Sequence, residues 1–97
     1  TWPEYIPHVL SKAGVVQMTR ALARAFAPDV RVNAIAPGAV LLPDNWDDAT
    51  RAHFATTTPL RRIGSPNDVV EAMLYLLRAD YVTGDTLLVD GGRHVRT

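Results

Sequence analysis

Val30-Arg31-Val32-Asn33-Ala34-Ile35-Ala36-Pro37-Gly38 is the stretch on which the fold turns. Its β-branched and small apolar residues predict a strand over 30–36, and Pro-Gly closes it with a turn. Upstream, two prolines, Pro3 and Pro7, predict a loop over 1–7. An Ala- and Leu-rich helix is then expected from about His8 to Phe26. Ala27-Pro28-Asp29 ends it, because proline cannot continue the hydrogen-bond ladder. Downstream, residues 39–47 read as an unusually apolar loop, with Asp47 placed to cap a short helix over 48–56. Ser65-Pro66-Asn67-Asp68 is a strong helix start: a capping serine, a proline suited to the first helical position, and an acid at the positive dipole end. That helix is expected to reach Arg78. Thr86-Leu87-Leu88-Val89-Asp90 reads as a buried-type strand ended by Gly91-Gly92.

The order is helix, strand, helix, helix, strand. Strands joined through long helical crossovers predict a parallel sheet flanked by helices, an α/β fold. Two strands do not complete such a sheet, since both faces and more neighbours are needed. More chain, or another subunit, is expected to complete it. Apolar residues of the first helix lie on more than one face (Leu10, Val15, Val16, Met18 and Leu22), which predicts burial on two sides.

Bulk composition narrows the function classes. Hydrophobic residues make up 47% and charged residues 21%, a globular rather than disordered balance. Ten basic and ten acidic residues cancel, so there is no electrostatic case for nucleic acid or an anionic membrane. No apolar run approaches the roughly 20 residues of a membrane span. The chain has no cysteine, which excludes disulfides and thiolate metal sites and fits a reducing, cytoplasmic setting. His53 and His94 have no partner spacing for a metal, and surface histidines are the expectation.

Four stretches resemble the short-chain dehydrogenase/reductase family in the right order. They are His8-Val9-Leu10-Ser11-Lys12-Ala13-Gly14, Arg31 through Gly38, Gly64-Ser65-Pro66-Asn67-Asp68-Val69, and Val82-Thr83-Gly84 followed by Val89-Asp90-Gly91-Gly92. Pro37-Gly38-Ala39-Val40-Leu41-Leu42-Pro43 and the Val89-to-Arg93 ending look most like its pteridine-reductase branch. The resemblance implies a doubly wound Rossmann-type parallel sheet. Residues 1–97 would be the C-terminal segment of one such domain, with the N-terminal cofactor-binding half absent. The family's glycine-rich phosphate loop does not occur here, so a helix-terminus grip on pyrophosphate is not encoded in these residues.

The same resemblance implies NADP or NAD as cofactor and reduction of a carbonyl or pterin-like substrate. Lys12 would hold the nicotinamide ribose, and the position four residues earlier would carry the proton donor. The i,i+4 spacing sets both on one helix face. The family has tyrosine there; this chain has His8. Imidazolium can donate a proton, with an unperturbed pKa of about 6.5, and a neighbouring lysine cation would lower it. His8 is therefore a substitute acid, a binding group, or the mark of a non-catalytic binding or structural module. Lys12 itself is either the ribose ligand or a solvated helix lysine. Tyr5 fits a place at the substrate mouth.

Pro37-Gly38 suits a backbone passing close to the nicotinamide, and equally a plain strand-ending turn. By resemblance the Val40 backbone would bond the carboxamide, and Leu42 stands where many relatives have a contacting threonine. Leu42, Trp46 and Phe54 are candidates either to cover a flat substrate ring or to pack on the core. Asn33 is expected to hold local structure. The family's helix packing implies a homo-oligomer, dimer or tetramer, with a small-molecule substrate as the other partner.

Overall fold

A computed structural model describes residues 2–38, 42 and 44–95, with side chains from Leu10 onward. The elements are α1 (Trp2–Phe26), β1 (Ala34–Pro37), α2 (Asp48–Thr57), α3 (Pro66–Arg78) and β2 (Thr86–Val89). The expected order holds. β1 and β2 pair in a two-stranded sheet. Ala34 N donates to Asp85 O at 2.9 Å and Gly38 N to Val89 O at 2.8 Å. The partner number rises as the donor number rises, so the strands are parallel, as a helical crossover requires.

Two boundaries differ from expectation. α1 includes the prolines assigned to a loop over 1–7. Pro3 lies in the first turn, where N–H groups have no intrahelical acceptor in any case. Pro7 removes only the bond that would have reached the carbonyl of residue 3. β1 begins at Ala34 rather than Val30. Residues before it run outside the ladder, and side chains hold them. Val32 N donates to Thr83 Oγ1 at 3.1 Å. Asn33 Nδ2 donates to Val82 O at 3.0 Å, and its Oδ1 accepts from Asp85 N at 3.1 Å. Asn33 thus has the local structural role expected of it.

The capped helix starts form as their sequences dictate. Asp47 Oδ1 accepts from Thr50 N at 2.7 Å, the N-cap bond of α2. At α3, Asp68 Oδ2 accepts from Ser65 N at 2.7 Å, the return half of a capping box. The Arg62 guanidinium meets both Asp68 carboxylate oxygens, at 3.0 and 2.9 Å. Arg62 and the Ser65 N–H hold the Asp68 carboxyl far below the usual carboxylate range, against a smaller opposing effect of desolvation.

The chain divides into two compact units, Thr1–Ala34 with Leu76–Leu87, and Ile35–Tyr75 with Leu88–Thr97. In the first, Thr19, Ala23 and Leu76 are buried. The Thr19 hydroxyl is satisfied by Val15 O at 2.7 Å. Among the described side chains of α1, burial on two sides is not found: Leu10, Met18 and Phe26 are 67%, 60% and 50% exposed. Thr19 and Ala23, four residues apart, mark a single covered stripe. Among the described residues of the second unit Thr58 is the deepest, at 2% exposure.

Candidate functional site

The candidate residues lie in two units. On α1, His8 and Lys12 are four positions apart in one uninterrupted helix. Lys12 is exposed, a cation available to an external acceptor. The side chains of Tyr5 and His8 lie outside the described residues, as does Val40 altogether.

In the second unit, β1 ends at Pro37, which is exposed, and Gly38 follows beside the end of β2. A Cβ at position 38 would stand 2.8 Å from Asp90 Cα and 2.8 Å from its Cβ. No real side chain fits there, so the neighbouring strand alone demands glycine at 38. The glycine therefore carries no separate information about a cofactor.

Asp90 closes β2 with a cluster of bonds. Its Oδ1 accepts from Gly92 N at 3.0 Å, and Oδ2 accepts from His94 N at 3.1 Å. The His94 ring Nδ1 lies 2.8 and 2.9 Å from the two oxygens. Burial works to raise the Asp90 pKa. The hydrogen bonds from His94 and Gly92, with the His94 charge, outweigh it and hold the carboxyl below its ordinary value. His94 is thus not a bare surface histidine. The cause is local: the turn at Gly91 and Gly92, both at positive φ, folds position 94 back onto 90.

Leu42 and Trp46 are half-buried. Trp46 packs on Phe54 of α2 with ring centroids 5.5 Å apart and planes at 50°, a tilted aromatic pair. The other partner of Phe54 is Arg93, whose guanidinium carbon lies 4.0 Å from the ring centroid. Arg93 has no sequence signal, because its partners lie 35 to 39 residues away. Among the described residues no group of His, Cys, Asp or Glu could hold a metal ion.

The family model described as enoyl-(acyl carrier protein) reductase matches residues 1–94. The chain belongs to this short-chain dehydrogenase/reductase family. It is 48% identical over 94 residues to a Streptomyces violaceoruber protein named as ketoacyl reductase 2 of the granaticin polyketide synthase, covering 93% of this chain and 38% of that one. Dihydromonapterin reductase of Citrobacter koseri is 39% identical over 93 residues, 96% of this chain and 39% of its own length. Among solved structures, 4-hydroxyisoleucine dehydrogenase complexed with NADH superposes with a TM-score of 0.81 at 28% identity, over 92% of this chain and 40% of that one. The chain thus spans well under half the length of these family members, and its parallel α/β architecture is theirs.

Proposed function

We propose that these residues form the C-terminal segment of an NAD(P)H-dependent oxidoreductase that reduces a carbonyl or the C=N bond of a pterin-like ring. The observation that carries the reading is the unbroken course of α1 through both His8 and Lys12, with Lys12 exposed. The donor chemistry fits the ribose end of such a cofactor: an ammonium offers three donors to sugar hydroxyls. Pro37, Gly38 and the Val40 backbone would border the nicotinamide, and Lys12 would hold the ribose. The bound cofactor would supply the hydride. His8 would donate a proton from its imidazolium to the substrate oxygen or nitrogen, and Tyr5, Leu42 and Trp46 would border the substrate. A dihydromonapterin reductase among the relatives supports the pterin-like reading, and an NADH complex among the solved structures supports the cofactor class.

A second reading rests on one specific observation. His8 stands where the family has its tyrosine, which favours a binding or structural module without turnover. Titrating the protein with NADH and NADPH, then following reductase turnover, separates the two. Binding with turnover supports the enzyme; absence of both in the full-length protein overturns it. Homo-oligomerisation and a cytoplasmic location belong to the same proposal. The exposed Leu10, Met18 and Phe26 of α1 support the former. No helix among the described residues is long and apolar enough to cross a membrane.

A further inference from the structure

α2 has no basic residue in its own last turn. Its C-terminal carbonyls carry the negative end of the helix dipole and favour a cation. Arg93 supplies that cation from the far end of the chain. Its NH1 group donates to Thr58 Oγ1 at 3.0 Å, to Thr57 Oγ1 at 3.2 Å and to Phe54 O at 3.4 Å. The same guanidinium covers the Phe54 ring. A lysine offers neither the planar fork nor the stacking face.

The turn before Arg93 is shaped around this docking. Gly91 has φ +66, and a Cβ there would come within 2.7 Å of Thr58 Cγ2. Gly91 O accepts from Leu60 N at 3.0 Å. Thr58, the residue the turn closes over, is the most buried of the described residues. Its hydroxyl bonds back to Phe54 O at 2.8 Å while receiving Arg93. The C-terminal end of α2 is thus held from residues 91–93 by the Arg93 guanidinium and by the Gly91 carbonyl. At the other end, Trp46 packs on Phe54 and its carbonyl accepts from Arg51 Nε at 3.4 Å.

We propose that Arg93 is a positioning residue: it latches α2 and so fixes the Trp46–Phe54 pair that borders the substrate. The substrate half of this statement rests on the oxidoreductase reading above; the latch does not. Removing Arg93 leaves Phe54 with one packed neighbour fewer and the α2 terminus without its cation. The helix end then opens more often, and the aromatic pair samples more orientations.

The test compares the unaltered protein with Arg93→Ala and Arg93→Lys. Amide hydrogen exchange over 54–58 is expected to quicken about tenfold in Arg93→Ala, with a smaller change in Arg93→Lys, which keeps the charge. KM for the reduced substrate should rise several-fold in Arg93→Ala while kcat and the dissociation constant for NAD(P)H stay within about twofold. Unchanged exchange over 54–58 overturns the latch. Faster exchange with an unchanged substrate KM overturns the link to the Trp46–Phe54 pair. If the unaltered protein turns over nothing, the oxidoreductase reading fails, and exchange alone decides the latch. Should Arg93→Ala not fold, Arg93→Lys carries the same comparison, with exchange equal to the parent counting against the proposal.

Discussion

The Arg31 guanidinium donates to the Leu76 carbonyl at 2.8 Å, at the C-terminal end of α3. Its other bonds converge there too, on Ala79 O at 2.9 Å and Leu77 O at 3.1 Å. One planar cation thus reaches the Leu76 and Leu77 carbonyls, which a helix end leaves without intrahelical partners, and the Ala79 carbonyl just beyond it. Arg31→Ala should lower stability by about 2–3 kcal/mol, since bonds to charged groups are the stronger class. Arg31→Lys should recover less than half of that, because a point charge does not span three carbonyls. Urea midpoints of the three proteins check this.

Glycine-to-alanine substitutions should differ in sign with position. Gly91→Ala forces a side chain into positive φ and against Thr58, so a loss of about 1–3 kcal/mol is expected. Gly14 lies inside α1 with nothing within 4 Å of its would-be Cβ. Gly14→Ala should therefore stabilise by about 0.5–1 kcal/mol through helix propensity and a less flexible unfolded chain. Thermal melts of both variants against the parent decide the matter.

Asp90 predicts an acid limb in stability. Its folded pKa is depressed, so the unfolded chain binds the proton first as pH falls. The contribution is complete above the unfolded value of about 3.9 and is lost as pH drops through the lower folded value. Asp90→Asn should flatten the stability change between pH 5 and pH 3. Parallel slopes in parent and variant over that acid range would contradict the cluster.

Lys12 and His8 are tested by turnover. On the proposed oxidoreductase reading, which assigns this cation to the ribose, Lys12→Ala should weaken NAD(P)H binding and cut kcat/KM by at least tenfold. His8→Tyr should raise turnover and shift its pH profile upward, following the higher pKa of a phenol. If neither variant changes activity, the assignment of both residues is wrong.

The elements were legible because their signals are local. Asp47 and Ser65-Pro66-Asn67-Asp68 mark helix starts through bonds reaching only three residues, and α2 and α3 begin where those residues stand. Four motifs in series were enough to indicate the family, and the parallel pairing followed from helical crossovers. The prolines of α1 misled, since local preference against a mid-helix proline was overridden by the long helix that follows it.

Contacts that span the chain were not legible. Gly38 needed Asp90 beside it before its lack of a side chain had a cause. Arg31 and Arg93 are ordinary charged residues in the sequence and become anchors only when distant carbonyls, hydroxyls and a ring are folded against them. The starts of α2 and α3, the order of the elements and the family could be read from the residues alone, because these depend on periodicity, capping and short motifs. Which side of α1 is covered and what holds the end of α2 emerge only in the folded chain, because those depend on where remote backbone and side-chain groups converge.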